Sequence, residues 1–256
     1  MSSKRAPFIV IEGLDRSGKT TQTSLLQSKL ESAGIATKLM KFPDRTTTIG
    51  QMIDSYLKST SELDDHVIHL LFSANRWELA STIESLLNEG TTVLCDRYAF
   101  SGIAFSASKI VASSSSSADP VVPKLPFEWC RAPDIGLPAP DVVLFLDIAP
   151  EQAKQRGGFG EERYEKEEMQ ARVRKLFERI GEETSSSSLN PSPSSSSSPT
   201  AAERLPQDGR NTLDWVIVDA GKDVESVSAE LWDAVYPLAR DGTNHPIGKL
   251  WAHHFA

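Results

Sequence analysis

The chain has 256 residues, of which 39% are hydrophobic and 24% charged, so its composition is that of an ordinary globular protein. This length supports a sizeable core, and we predict one domain over residues 1–256. The 27 basic and 35 acidic side chains give a net charge of −8, which argues against nucleic acid or an anionic membrane as a partner. An anionic ligand must therefore meet local basic residues.

Nothing in the sequence indicates secretion or a membrane anchor. The apolar run at residues 8–11 is too short for a signal sequence, and the longest later run, at residues 142–146, is far below the roughly 20 residues that span a bilayer. Cys95 and Cys130 lack the paired spacing of a zinc site or a disulfide framework. We expect a soluble cytoplasmic protein with reduced thiols and no membrane partner, and we leave entry into the nucleus open.

Short apolar runs that suit β-strands alternate with segments of helical spacing. Strands are predicted at residues 8–11, 37–42, 92–95, 142–146 and 215–218. Between them, helical spacing is seen in Ile49, Met52, Ile53, Tyr56 and Leu57 and again in Val67, Leu70, Leu71 and Ala74. Near-continuous apolar strands are typical of a parallel sheet covered on both faces, so the predicted fold class is α/β.

Two serine-rich stretches, at residues 113–117 and 184–200, interrupt this order. Such composition buries too little apolar surface to offset the entropy of ordering it, so we predict two mobile loop insertions. Because the cost of closing a loop rises slowly with its length, the insertions leave the core unaltered.

Residues 13–20 read GLDRSGKT and match the phosphate-binding loop pattern G-x-x-x-x-G-K-[ST]. The loop follows a predicted strand and precedes a helical run, which is the context that the pattern requires. Gly13 and Gly18 allow the backbone N–H groups to point at a phosphate. Lys19 can reach the β- and γ-phosphates, and Thr20 can ligate Mg²⁺. The sequence therefore predicts a P-loop.

Two residues inside the loop carry more specific information. A polyphosphate would repel Asp15, so this carboxylate suggests contact with a ligand hydroxyl, although an aspartate here also suits a turn or a helix cap. Arg16 stands where a cation can neutralise charge developing on a transferred phosphoryl group, with a solvated loop arginine as the alternative.

The predicted strand at residues 92–95 is followed by Asp96, Arg97 and Tyr98. Ligands of open α/β sheets gather at the carboxyl ends of strands. Asp96 can hold Mg²⁺ through water and Arg97 can bind phosphate, although an Asp–Arg pair at a surface is also common.

Phe72 and Arg76 are four residues apart and share one face of a predicted helix. An aromatic plane beside a guanidinium suits a nucleobase, which stacks on the first and bonds to the second. The alternative places Phe72 in the core and Arg76 in solvent.

Two further segments carry charge suited to a phosphate. Arg45, after the second strand, adds a cation. The glycine-rich, charged residues 156–165 have the composition of a lid or of a flexible surface loop.

Together these motifs resemble the thymidylate kinase (dTMP kinase) family of eukaryotic type. The resemblance rests on GLDRSGKTT, FPDR, LLFSANRWE, DRYAFSG, PDIGLP and ERYE, at residues 13–21, 42–45, 70–78, 96–102, 133–138 and 162–165. It implies a P-loop NTPase fold of the nucleoside monophosphate kinase type, with five parallel strands flanked by helices, and a homodimer. It also implies transfer of the γ-phosphoryl group from MgATP to dTMP, which gives dTDP for dTTP synthesis.

The resemblance also implies a role for each site residue. Those that would contact dTMP are Asp15 at the 3′-hydroxyl, Phe72, Arg76, Gly102 and Ser106 at the base, Phe105 and Tyr164 at the 2′-position, Arg45 and Arg97 at the monophosphate, and Phe42 and Ser101 nearby. Those that would contact ATP are Gly13, Arg16, Ser17, Gly18, Lys19, Thr20 and Thr21 in the loop, with Arg156 and Lys222 at the adenine. Catalysis would fall to Asp15, Arg16, Lys19, Asp96 and Arg97, and Mg²⁺ to Thr20 and, through water, Asp96.

Other functions remain compatible with the motifs. A deoxynucleoside kinase would give Arg45 no acceptor phosphate to bind, and another nucleoside monophosphate kinase would accept a different base. A GTPase-like switch would need an Asn-Lys-x-Asp segment for guanine, which the sequence lacks. Ser106 departs from the family pattern, since a larger residue such as Thr or Gln is expected there, so base selectivity is less secure than phosphoryl transfer.

Overall fold

The computed structural model describes residues 4–111, 122–156, 162–185 and 213–252. Within these ranges five strands form one parallel sheet in the order β2-β3-β1-β4-β5. The strands are β1 (Phe8–Gly13), β2 (Thr37–Lys41), β3 (Thr92–Asp96), β4 (Val142–Asp147) and β5 (Asp214–Asp219). Each predicted strand is present, and the predicted α/β fold is confirmed.

Helices flank this sheet. They are α1 (Lys19–Ser32), α2 (Thr48–Leu57), α3 (Asp65–Trp77), α4 (Ala80–Asn88), α5 (Ala99–Ala107), α6 (Phe127–Arg131), α7 (Pro150–Gln155), α8 (Glu167–Ser185) and α9 (Val224–Asp241), with a 3₁₀ turn at Ala132–Asp134. None of the helices in the described ranges is long and apolar enough to cross a bilayer.

The centre of the sheet forms the core. Every residue of β1 and β3 is buried, as are the first five residues of β4. In the parallel register Ile11 lies beside both Asp96 and Leu144, and Gly13 lies beside Leu146. The carboxyl ends of β1, β3 and β4 therefore meet at one edge, which is where ligands bind in open α/β sheets.

The starts of the helices differ in how their backbone N–H groups are satisfied. Thr47, Asp64 and Asp223 cap α2, α3 and α9 with their own side chains, as expected of N-cap residues. The residues preceding α1 and α5, Gly18 and Tyr98, provide no such cap. These two starts lie at the carboxyl edge of the sheet, after β1 and β3.

The described residues test only part of the predicted insertions and lid. The serine-rich residues 113–117 lie outside the described ranges, as do 186–200 of the second stretch and 157–161 of the lid. The prediction of a loop beginning at residue 184 is wrong at its start, because Thr184 and Ser185 form the last turn of α8. The Thr184 hydroxyl donates to the carbonyl of Ile180 at 2.7 Å, which a helical threonine can do without leaving the helix.

Candidate active site

The P-loop adopts the turn that its glycines permit. Gly13 has φ 151° and Gly18 has φ 93°, values that other residues rarely adopt. A Cβ atom on Gly13 would also come within 2.7 Å of the Leu146 carbonyl oxygen, so the loop can pass β4 only without a side chain there. Ser17 is buried, and α1 begins at Lys19 with its first N–H groups at the loop. This arrangement suits an anion.

Lys19 is folded into the loop. Its Nζ donates to the Leu14 carbonyl at 2.5 Å and to the Ser17 hydroxyl at 3.2 Å, and the side chain is buried. Burial, aided by the charge of Arg97, lowers the pKa of Lys19 to about 7. Phosphate oxygens would supply the negative charge that favours the ammonium form in this setting.

Thr20 and Asp96 form the part of the site that fits Mg²⁺. The Thr20 hydroxyl donates to Asp96 Oδ2 at 3.0 Å. Asp96 Oδ1 is buried and has no hydrogen-bond partner within the described part of the chain. An unpartnered buried carboxylate oxygen beside a threonine hydroxyl is a donor set that hard cations prefer. Lys41 Nζ lies 3.7 Å from Asp96 Oδ2, at the mouth of the site.

Arg16 extends from the loop toward the residues that close the cavity. Its φ of 63° is in the left-handed region, and its Nε donates to Glu165 Oε1 at 2.9 Å. Arg156, at the end of α7, donates to the backbone carbonyls of Arg16 at 3.1 Å and Ala220 at 2.6 Å. Both arginines therefore line the cavity at the P-loop, and Arg156 ties the loop to the residue after β5.

Asp15 and Arg97 pair directly. Asp15 Oδ1 accepts from Arg97 Nη2 at 2.5 Å, and Oδ2 accepts from Gln170 Nε2 at 2.8 Å. Arg97 also donates to the Gly13 carbonyl at 2.9 Å, and its guanidinium lies over the Phe105 ring, 5.2 Å from the centroid. The carboxylate and the cation thus compensate each other's charge at the wall of the cavity.

Arg76 is held at the far end of the cavity by Asp134. Asp134 accepts from Arg76 Nη2 at 2.6 Å and from Nε at 3.1 Å, and the Ser73 hydroxyl donates to the same carboxylate at 2.7 Å. A Cβ atom on Gly102 would come within 2.7 Å of the guanidinium, so a side chain there would displace Arg76 from its present position. The alternative in which Arg76 points to solvent is therefore wrong, because the side chain is buried.

Arg45 approaches the cavity between two carboxylates. It donates to Asp54 at 2.6 Å and to Glu162 at 2.8 Å. Arg163, beside Glu162, donates to the Tyr56 carbonyl at 2.9 Å. These contacts bring α2 to the described end of the proposed lid.

One cavity of about 490 Å³ connects these groups. Most residues predicted to contact nucleotides line it, namely Asp15, Arg16, Gly18, Lys19, Thr20, Thr21, Phe42, Arg45, Phe72, Arg76, Asp96, Arg97, Ser101, Gly102, Phe105, Arg156 and Tyr164. The cavity runs from the P-loop to the Phe72 ring and the Arg76 guanidinium. It can therefore accept a polyphosphate at one end and a planar base at the other.

Comparisons with known proteins agree with this geometry. The family described as thymidylate kinase matches residues 11–194. Thymidylate kinases of Danio rerio and Homo sapiens are 39% and 38% identical to the chain over 98% of its length and their full length. The chain belongs to the thymidylate kinase family. The solved thymidylate kinase of Candida albicans has a TM-score of 0.72 and 36% identity, with 97% of this chain and 99% of that chain covered. The predicted family is confirmed, and as a thymidylate kinase the chain is an enzyme that transfers a phosphoryl group from ATP to dTMP.

Four residues assigned to the thymidylate kinase site do not line the cavity: Gly13 and Ser17, which belong to the P-loop itself, and Lys222 and Ser106. Lys222, expected at the adenine, is part-exposed and pairs with Glu230 of α9, because the loop after β5 directs it along that helix. Ser106, expected at the base, is buried between α5 and α3, where His69 Nδ1 lies 2.8 Å from its hydroxyl. His69 Nε2 faces the Cys130 carbonyl at 2.8 Å, and burial lowers the pKa of His69 to about 4.

Several supporting residues of this thymidylate kinase were missed from the sequence. Lys41, Leu57, Glu162 and Glu165 line the cavity, and Gln170 and Asp134 hold residues that do so. Asp134 stood in one of the family motifs, but nothing in its spacing to Arg76 indicates a contact across 58 residues. Gln170 lies in a charged helix whose pattern marks no single residue as special.

Proposed function

We propose that the acceptor dTMP lies between Phe72 and Arg97. The thymine ring stacks on Phe72, and the edge of the base meets Arg76, whose remaining nitrogen Nη1 is not used by Asp134. Asp15 accepts from the sugar 3′-hydroxyl. Support comes from the cavity itself, which contains an aromatic ring and a fixed guanidinium at the end opposite the P-loop.

Phe105 and Tyr164 form the wall beside the proposed sugar position. Their rings lie 5.7 Å apart at 31°, and both side chains are nearly buried. A wall of two packed rings leaves little space for an added 2′-hydroxyl. Selection of deoxyribose over ribose follows from this arrangement.

We propose that Arg45 and Arg97 bind the monophosphate of dTMP. Both line the cavity, and both are paired with carboxylates, Arg45 with Asp54 and Glu162 and Arg97 with Asp15. A phosphate that enters between them accepts hydrogen bonds from the guanidinium edges that these carboxylates leave unused. Two cations at this position favour a phosphorylated acceptor, which argues against a deoxynucleoside kinase.

At the donor end, Lys19 and the loop N–H groups bind the β- and γ-phosphates, and Arg156 lies beside the adenine. Thr20 and, through water, Asp96 would hold Mg²⁺, which would supply positive charge against the phosphate groups. Arg16 leaves Glu165 for the transferred γ-phosphoryl group and stabilises its transition state in cis, while Asp15 and Arg97 orient the acceptor. Phosphoryl transfer needs mainly this positioning and charge stabilisation.

The single observation that carries the assignment is one cavity shared by the P-loop and the Phe72–Arg76 pair. The test is an acceptor panel with MgATP: dTMP, dUMP, dGMP, CMP, AMP and thymidine. We expect dTMP to be the preferred acceptor and thymidine to be a poor one. The Candida albicans enzyme is described as having broad substrate specificity, so other deoxynucleoside monophosphates belong in the panel. Preference for a ribonucleotide or for thymidine would contradict the proposed site.

We propose that the enzyme forms a homodimer through α2 and α3. Among the apolar residues that repeat at helical spacing on these helices, three are exposed, Met52 at 46%, Val67 at 43% and Leu70 at 47%, and Trp77 of α3 is exposed at 42%. On α3, residues 67, 70 and 77 lie on one stripe. Contiguous exposed apolar residues on neighbouring helices are typical of a protein interface.

We propose a cytoplasmic location. Cys95 and Cys130 are free and buried, which suits a reducing compartment. Imaging of the tagged protein, with nuclear and cytoplasmic markers, tests this location and shows whether the enzyme also enters the nucleus.

A further inference from the structure

Glu12, the fifth residue of β1, is a carboxylate that the proposed reaction does not use. It is completely buried and does not line the active-site cavity. A buried carboxylate is costly unless several donors satisfy it, so its partners should explain its presence. Its hydrogen-bond donors, Tyr98 and Ser101, belong to the turn between β3 and α5 and to the first turn of α5.

The contacts of Glu12 organise the start of α5. Oε1 accepts from the backbone N–H groups of Tyr98 at 2.9 Å and Ser101 at 3.0 Å, and Oε2 accepts from the Ser101 hydroxyl at 2.5 Å. Tyr98 is the N-cap residue of α5 and makes no side-chain cap, and Ser101 is the third helical residue. Glu12 therefore supplies from another strand the hydrogen bond that an N-cap side chain usually provides.

The same turn carries Arg97. Its backbone has φ 69°, in the left-handed region that is unfavourable for arginine. Arg97 Nη1 donates to the Ser101 hydroxyl at 3.1 Å, and this hydroxyl donates in turn to Glu12. Burial raises the pKa of the Glu12 carboxyl, whereas the hydrogen bond from Ser101 and the charge of Arg97 oppose the rise. Glu12 thus contacts both the backbone and, through one hydroxyl, the side chain of the turn that places Arg97.

We infer that Glu12 is a positioning residue for the acceptor phosphate, acting through Ser101 and Arg97. The inference rests on the proposed function of Arg97 as a ligand of the dTMP monophosphate. Glu12 maintains the left-handed backbone at Arg97 and aligns its guanidinium between Asp15 and the cavity. The consequence is selective: loss of Glu12 weakens the use of dTMP and leaves the use of ATP nearly unchanged, although β1 leads directly into the P-loop.

The test compares full-length Glu12→Gln with the wild type in steady-state kinetics. The glutamine keeps the shape, but its NH₂ group would face the Ser101 hydroxyl, which then loses its acceptor. Because hydrogen bonds to charged groups are strong, we expect kcat/KM for dTMP to fall by about 10- to 100-fold. The KM for ATP should change by less than about threefold, since the hydrogen bonds of Glu12 within the described residues go to Tyr98 and Ser101, and Glu12 acts on Lys19 of the loop through its charge alone. An equal loss for both substrates would overturn the inference.

A double-mutant cycle separates this role from general stability. If Glu12 acts through Arg97, then Glu12→Gln should lower kcat/KM for dTMP by less than about threefold when Arg97→Lys is already present. Full additivity would overturn the inference. Arg97→Lys alone should raise the KM for dTMP. If Arg97→Lys does not raise this KM, the proposed function of Arg97 fails. If Arg97→Lys raises it but Glu12→Gln leaves kcat/KM for dTMP unchanged, only the role of Glu12 is overturned.

Two further variants keep the result interpretable. Ser101→Ala removes only the hydroxyl that joins Glu12 to Arg97, and we expect a loss in the same direction of about threefold to tenfold; no loss would overturn the proposed link. Asp141→Asn is the control, because Asp141 is another carboxylate that accepts a backbone N–H, from Phe8 at 2.8 Å, and pairs with an arginine, Arg5, although it is only part-buried. This control should lower thermal stability without a selective change in dTMP kinetics.

Discussion

Asp134 fixes the guanidinium of Arg76 through two hydrogen bonds, of 2.6 and 3.1 Å, in a pair whose side chains are 0% and 3% exposed. Removing one partner of a buried ion pair leaves an uncompensated charge, which typically costs about 3–5 kcal/mol. The pair therefore links the stability of the fold to the site proposed for the base.

We expect Asp134→Asn to lower the free energy of unfolding by about 3–5 kcal/mol and to raise the KM for dTMP. The matched control is Asp147→Asn, whose partner Arg174 is 36% exposed, so its loss should cost about 1 kcal/mol or less. Chemical denaturation and steady-state kinetics measure the two effects. Equal destabilisation by both variants would contradict the role given to Asp134.

Arg16 is expected to act on the chemical step. Arg16→Ala should lower kcat by roughly 10³-fold, as expected of a cis arginine finger, with a small change in the KM for ATP. Lys222→Ala should leave both constants close to those of the wild type, because Lys222 pairs with Glu230 outside the cavity. A change in Arg16→Ala confined to KM would refute the catalytic role.

Binding of ATP should be linked to proton uptake by Lys19. With its pKa at about 7, this lysine is mostly neutral at pH 8 in the unliganded protein. Phosphate oxygens favour the charged form and return the pKa toward about 10.4, so ATP binding at pH 8 should take up close to one proton. The uptake should shrink below pH 7, where Lys19 is already protonated. Titration calorimetry in buffers of different ionisation enthalpy measures this number, and an uptake that persists in Lys19→Met would assign the proton elsewhere.

The low pKa of Lys19 also sets the direction of a stability change. Between pH 7 and about 10.4 the unfolded chain binds more protons at this residue than the folded one, so stability rises with pH across this window. The buried Lys19 ammonium therefore destabilises the folded state most at pH 7 and below, and this destabilisation decreases as the pH rises toward about 10.4. Lys19→Met should stabilise the unliganded protein at pH 6 more than at pH 9. Denaturation at the two pH values tests the sign.

The exposed stripe on α3 provides a test of assembly. Leu70→Glu should convert a homodimer to a monomer in analytical ultracentrifugation, because a charge would be buried in the apolar interface. Leu25→Glu is the control, since Leu25 is also part-exposed, at 37%, but lies on α1. A wild-type protein that sediments as a monomer at micromolar concentration would contradict the proposed dimer.

The sequence predicted the elements that depend on local pattern. The five apolar strands and the P-loop at residues 13–20 occur where expected, because β-rich runs and the G-x-x-x-x-G-K-[ST] spacing carry their own geometry. The serine-rich stretch gave a less accurate boundary: Thr184 and Ser185 continue α8, since a helix can extend into polar residues when its earlier turns are packed.

Other assignments depended on contacts that no local pattern contains. Ser106 and Lys222 carried suitable chemistry, but Ser106 turns to His69 and Lys222 turns to Glu230. Met52, Val67 and Leu70 have the spacing of a buried helix face, yet they are exposed in the single chain. Periodicity identifies an apolar face without stating what covers it.

Sequence alone determined the fold class, the phosphate-binding loop and the family, because each follows from residues close together in the chain or from their combined motifs. Tertiary structure decided how the site residues are held. Asp134 reaches Arg76 across 58 residues and Ser101 reaches Glu12 across 89, and such pairs form only when the sheet brings distant segments to one edge. The P-loop is thus a local feature of the sequence, whereas the acceptor site beside it is a product of the fold.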